Sequence, residues 1–150
     1  MHPTLVSRPF HHEGWVYEEK VDGYRMLAYK DRRRQVRLIS RQGKDHTTRF
    51  PEIAAAVRRL ETPSAILDGE VAIYDRQLVS RFEWLRHQRP PQLATPPLFM
   101  AFDCLYAHGR DLRQEPLSAR RAVVEDVPLI DEQDLLLPVR RLTDDGLKAW

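Results

Sequence analysis

Glu18-Glu19-Lys20-Val21-Asp22-Gly23-Tyr24-Arg25-Met26-Leu27-Ala28-Tyr29-Lys30 is the stretch on which the reading of the chain turns. A strand-like run, Trp15 to Lys20, leads into it, a second, Tyr24 to Lys30, leads out, and Gly23 breaks the two. Tyr24, Met26, Ala28 and Tyr29 alternate imperfectly with polar neighbours, as on a strand with one covered face. The bend gathers a lysine, an acid, a glycine and an arginine. With Arg25 beside it and part of its hydration lost, Lys20 would shed its proton more readily and become a nucleophile. Asp22 opposes that effect, so its expected role is orientation, or pairing with Arg25. Gly23 would let the backbone turn and approach a ligand closely. By residue type alone the same bend is also the composition of a solvated hairpin tip.

Outward from this bend, the Asp31 to Gln35 cluster makes a turn and Val36 to Arg41 a third strand. Ile53, Ala56, Val57 and Leu60 recur at helical spacing, with Pro51 in the first turn, and predict a helix from Pro51 to Leu60. Ala65 to Tyr74 reads as strand broken at Asp68-Gly69, and Phe82, Trp84 and Leu85 as a short helix ending before Pro90, with a loop to Pro97. Leu98 to Tyr106 is an apolar run with one acid, Asp103, which predicts a central strand covered on both faces. Ser118 is expected to cap a helix through Val124, Asp134 to Arg141 to form a strand, and Asp144 to cap a last helix. Hairpins mixed with helices argue for an α+β fold, with antiparallel-rich sheets and flanking helices.

A chain of 150 residues has room for one modest domain. Its 42% hydrophobic and 31% charged residues fit a folded globular protein, and a formal charge of +2 permits a polyanionic partner without requiring one. Cys104, the single cysteine, sits in an apolar run as a buried, inert thiol, which fits a reducing cytoplasm. The start lacks the apolar run of a signal peptide and no segment reaches transmembrane length, so no membrane association is expected. The six histidines show no metal-ligand spacing, and no metal ligand is assigned. Neither GxxxxGK[ST] nor GxGxxG occurs, so a nucleotide would have to be held by other means.

Lys20-Val21-Asp22-Gly23-Tyr24-Arg25 matches KxDGxR, the first motif of the covalent nucleotidyltransferases: DNA ligases, RNA ligases and mRNA capping enzymes. Ser40-Arg41-Gln42-Gly43 resembles the family's SRxG segment, Leu67-Asp68-Gly69-Glu70-Val71 its DGE motif, and Phe102-Asp103-Cys104-Leu105 its aromatic-Asp motif, all in the family's order. Arg110-Asp111-Leu112 with Pro116-Leu117-Ser118-Ala119-Arg120-Arg121 is similar to the following stretch in bacterial ATP-dependent DNA ligases, including those of end-joining repair. The resemblance spans nearly the whole chain.

It implies an adenylation domain of ATP-dependent DNA ligase type, sealing strand breaks in nicked or broken double-stranded DNA during repair or recombination. Lys20 would take AMP from ATP as a phosphoramidate; Arg25 and Arg41 would contact ribose and phosphate; Glu70 would accept a ribose hydroxyl; Phe102 would stack on adenine; and Glu18 would lie at the adenine edge. Asp22 and Gly23 would order the site, and Mg2+ would accompany the triphosphate. Singly, Arg41 also reads as a strand-end cation, Glu70 as a turn acid and Phe102 as core.

The family's glutamate-containing motif, its KxK lysines and its OB-fold domain do not occur by Trp150, so residues 1–150 are expected to be a partial adenylation domain, completed by a C-terminal portion or a partner chain. Absent strands would leave a sheet edge uncovered. Two other functions stay open: a catalytically incomplete remnant that binds nucleotide, nucleic acid or a partner, and a metal-dependent hydrolase built on Asp22, Asp68, Glu70 and Asp103.

Overall fold

The computed structural model describes residues 5–8, 10–86, 95–126 and 135–142. The chain divides into two units, Val21–Pro138 and the pairing of Met1–Lys20 with Val139–Trp150.

The larger unit is built on a mostly antiparallel sheet. Its strands are β2 (Tyr24–Lys30), β3 (Val36–Ser40), β4 (Ala65–Ala72), β5 (Leu98–Ala107) and β6 (Arg110–Asp111), ordered β3-β2-β4-β5-β6, with β7 (Leu136–Pro138) parallel to β5. β2 matches the expected limits. Its two-residue period places Met26, Ala28 and the stem of Lys30 on the buried face, and leaves Arg25, Leu27 and Tyr29 on the other. Helix α1 (Pro51–Arg59) buries Ile53, Ala54, Ala56 and Val57. Pro51 sits at its start, Glu52 in its first turn and Arg58 and Arg59 in its last, each suited to the helix dipole. At the far end the Lys30 ammonium donates to the Leu60 carbonyl, closing a helix terminus with a cation. Burial pushes the Lys30 pKa down.

The expected break at Asp68-Gly69 is absent: β4 runs through both residues. The turn chemistry of Asp-Gly yields here to packing. A Cβ at Gly69 would lie 2.6 Å from the Phe99 ring and 2.7 Å from the Met100 carbonyl oxygen, so only glycine lets β4 and β5 close at this point. Phe99 is fully buried, which contributes roughly 2 kcal/mol by area.

β5 is central, as expected, but covered on both faces only along Leu98–Ala101; beyond Ala101 four of its residues, Phe102, Asp103, Leu105 and Tyr106, are half-buried. Its pairing with β4 slips twice. Gly69 opposes Ala101 and Asp68 opposes Asp103, so Phe102 is an extra residue; Leu67 opposes Cys104 and Ile66 opposes Tyr106, so Leu105 is another. Helix α3 (Leu117–Asp126) packs along β5. It starts one residue before Ser118, which therefore lies inside its first turn rather than capping it. Short helix α2 spans Glu83–Arg86. Cys104 is fully buried and desolvation pushes its thiol up to about 11.

In the smaller unit the first strand is shorter than expected: β1 (Tyr17–Glu18) pairs antiparallel with β8 (Arg141–Leu142), and the Glu19 N–H donates to the Arg140 carbonyl. The single strand expected over Asp134–Arg141 is in fact β7 and the start of β8, interrupted at Val139-Arg140. Phe10 lies edge-on to Trp15 at 5.2 Å and to Tyr17 at 6.0 Å. The loop expected over residues 90–94 and the cap at Asp144 fall outside the described residues.

Candidate functional site

The half-buried face of β2, β4 and β5 carries the polar residues that the motifs single out. Arg25 opposes Glu70 and Leu27 opposes Asp68, and the strand period sets Arg25, Asp68 and Glu70 on one side of the sheet. Arg25 makes a forked pair with Asp68, Nε to Oδ1 at 3.1 Å and Nη2 to Oδ2 at 2.8 Å. Asp68, rather than Asp22, is its partner. The hydrogen bonds that it donates to Asp68 raise the Arg25 pKa against the opposing effect of burial. The guanidinium also lies over the Phe102 ring, 5.2 Å from its centroid. Phe102 is thus half-exposed on a bulge and is not core.

Gly23 serves the fold at this position. Its N–H donates to Glu70 Oε1 at 2.7 Å, and a Cβ there would lie 2.1 Å from the Val71 carbonyl oxygen. The glycine is needed because the segment before β2 presses on β4. Asp22 is exposed and its N–H donates to Ser80 Oγ at 2.9 Å. Ser80 is delivered by the turn Asp75–Ser80, where Asp75 Oδ1 accepts from Gln77 and Val79 and the Asp75 carboxylate pairs with Arg81. Those accepted bonds, the Val79 N–H first, lower the Asp75 pKa.

Tyr24 anchors the start of β2 on the core side of the bend. Its ring meets Phe82 edge-on at 5.0 Å and stacks on His46 at 6.1 Å, while the Arg49 guanidinium lies 5.1 Å above it. His46 is buried, and desolvation lowers its pKa. Arg41 is exposed in the turn Ser40–Gly43 that follows β3; because Ser40 opposes Met26, it leaves the sheet beside the end of β2 that carries Arg25.

Lys20 and Glu18 belong to the smaller unit, where Glu18 pairs with Arg141 in the β1–β8 ladder and both side chains are exposed. The partial burial expected for Lys20 is not found. The structure therefore gathers Arg25, Glu70, Phe102 and Gly23, with Arg41 leaving β3 at the same end of the sheet.

What the sequence reading missed here is partnership: Asp68, named in the DGE motif and as a strand break, was not seen as the partner of Arg25, and Arg120 and Arg121, named only in the stretch after the aromatic motif, were not seen to hold β5. Arg120 makes a forked pair with Asp103, 2.8 and 2.9 Å, with side-chain exposures of 11% and 15%. The one acid in the apolar run was the available signal, since a carboxylate inside a sheet calls for a cation. Of the acids proposed for a hydrolytic metal centre, Asp68 and Asp103 are tied up in ion pairs and Glu70 accepts the Gly23 N–H, and among the described residues no three of His, Cys, Asp and Glu gather as metal ligands. A hollow of about 350 Å³ lined by Tyr29, Ile66 and Tyr106 lies further along the sheet and contains none of the motif residues.

The family model described as ATP dependent DNA ligase domain matches residues 4–144. The chain is 35% identical over 122 residues to the multifunctional non-homologous end joining protein LigD of Pseudomonas aeruginosa, covering 81% of this chain and 14% of that protein. Its fold superposes on the ligase domain of Mycobacterium tuberculosis LigD with a TM-score of 0.72 and 31% identity, over 90% of this chain and 42% of that one. A mycobacterial DNA ligase D complexed with ATP and MES gives 0.67 and 30%, over 89% and 42%. The chain thus spans a minor part of each relative. The order of the motifs, the strand-rich α+β sheet that carries them and a match across nearly every residue lead to one assignment: the chain belongs to the ATP-dependent DNA ligase domain family.

Proposed function

We propose that this chain is the front part of the adenylation domain of an end-joining-type DNA ligase, with ATP as substrate and Lys20 as the nucleophile. The observation that carries the reading is the exposed pairing of Arg25 with the Phe102 ring beside Glu70, a flat aromatic face, a cation and an acceptor within one patch of sheet. Adenine would stack on Phe102, Glu18 would meet the adenine edge, and Glu70, opposite Arg25 on the half-buried face of the sheet, would accept a ribose hydroxyl. Arg25 and Arg41 would hold ribose and phosphate. Asp22, tied through its backbone to Ser80, and Gly23, packed on β4, would fix the bend that follows Lys20.

In the covalent step the neutral amine of Lys20 attacks the α-phosphorus. A P–N bond forms, the bond to the bridging oxygen breaks, pyrophosphate leaves with the electron pair, and the amine proton passes to water. AMP then moves to the 5′-phosphate of a nick, and the 3′-hydroxyl displaces it to close the strand. The described residues offer no built magnesium cage, so Mg2+ enters only as the companion of the triphosphate, and no step is assigned to it. The family's phosphate-holding lysines and OB-fold would come from a C-terminal portion or a partner chain. Cytoplasmic location is part of the proposal, supported by the single, buried thiol; among the described residues no helix is long and apolar enough to cross a membrane.

The test offers the intact protein that carries this chain nicked DNA or nicked RNA, with ATP or GTP. Sealing of nicked DNA with ATP, lost in Lys20→Ala, is expected. Preference for nicked RNA or for GTP would move the assignment to another branch of the nucleotidyltransferases, and ATP binding without pyrophosphate release would make the chain a non-catalytic binding module.

A further inference from the structure

We propose that Arg120 and Arg121 of α3 are positioning residues for Phe102, and through it for the nucleotide base; the proposal rests on the reading of Phe102 as the adenine platform. The two arginines are consecutive, and they grip β5 on either side of one residue. Arg121 donates from Nη1 to the Ala101 carbonyl at 3.1 Å, and Arg120 forks onto the Asp103 carboxylate. Between those two anchors lies Phe102, the extra residue where the β4–β5 pairing slips.

A bulged residue lacks a cross-strand partner to fix it, and a shift of the bulge by one position would carry a different side chain to the half-buried face. Ala101 or Asp103 would then take the place of the aromatic ring. Hydrogen bonds to both flanking residues exclude that slip, because each arginine recognises one atom set at one position. Arg120 is itself steadied by a bond from Nη1 to the Glu115 carbonyl at 2.6 Å, and Arg121 by one from Nε to Glu125 one helical turn on, at 3.2 Å.

Burial makes a purely cohesive role a poor account of these residues. Arg121 is 2% exposed and the Arg120–Asp103 pair is mostly buried. Desolvating such groups is costly, and apolar side chains of similar volume commonly hold a core as well or better. What arginines add is direction, and the direction here fixes the register of the bulge that presents Phe102 beneath Arg25.

The experiment compares dissociation constants for ATP and for inorganic triphosphate, which has phosphates but no base, in the intact protein and in Arg120→Met, Arg121→Met, Arg121→Lys and Phe102→Ala. Each methionine variant should weaken ATP about tenfold or more, the scale of one lost base-stacking contact, and leave triphosphate within about twofold. Arg121→Lys, which keeps a donor for Ala101, should recover most of the affinity and serves as the readout if Arg121→Met does not fold. In a Phe102→Ala background Arg120→Met should add little. ATP and triphosphate weakening together, or full additivity with Phe102→Ala, would overturn the positioning role. If Phe102→Ala itself leaves ATP binding intact, the adenine platform is wrong; if it weakens ATP while the arginine variants bind as the parent does, the platform stands and only this inference falls.

Discussion

Arg25 holds Asp68 through its planar fork and Phe102 through its face, two contacts that a lysine cannot reproduce. Arg25→Lys is therefore expected to weaken ATP binding severalfold. Because the Arg25 side chain is 44% exposed and its pair is screened, the same change should cost no more than about 1 kcal/mol in urea unfolding. A large loss of stability with unchanged ATP binding would place the pair in the fold alone. His46 makes a prediction about pH. Its folded pKa lies below the ordinary value of 6.5, with burial the largest cause, so the unfolded chain binds the proton first. Its contribution is full above pH 6.5 and declines as pH falls through the depressed folded value. His46→Gln should flatten the dependence of the urea midpoint on pH in that window; a profile as steep as the parent's would assign it to other groups.

At the scale of elements, the two glycines of the site region act by close approach. Gly69→Ala must displace the Phe99 ring or the Met100 carbonyl, and overpacking of this kind costs about 1–3 kcal/mol. Gly23→Ala should cost more, since its Cβ would meet the Val71 backbone, which cannot swing aside as a ring can. Chemical denaturation of both variants checks the order; Gly23→Ala as stable as the parent would mean that the approach of β2 to β4 is looser. These contacts also explain what could be read in advance. β2 and α1 were legible because their apolar periods sit wholly within one element, and β5 because its run is long. The continuity of β4 was not, since Asp-Gly carries turn chemistry locally and the ring that excludes any other residue arrives from Phe99, thirty positions later. For the same reason Asp68 was missed as the partner of Arg25 and Arg120 as the partner of Asp103: ion pairs between separate elements, strand to strand or helix to strand, leave no spacing in sequence.

For the whole molecule, Val21–Pro138 carries Arg25, Arg41, Glu70 and Phe102, and the smaller unit carries Glu18 and Lys20. Hydrogen exchange should be slowest at the amides of β2, β4 and β5 within the larger unit and fast at the two-residue β1–β8 ladder. Slow exchange of Tyr17 and Glu18 would contradict that ranking. The central claim concerns a covalent bond, and it is tested by incubating the intact protein with ATP labelled at the α-phosphate and mapping the labelled peptide. The account predicts an acid-labile adenylate on Lys20, discharged by nicked DNA and absent from Lys20→Ala. Label on another residue, or strand sealing that persists in Lys20→Ala, would contradict it.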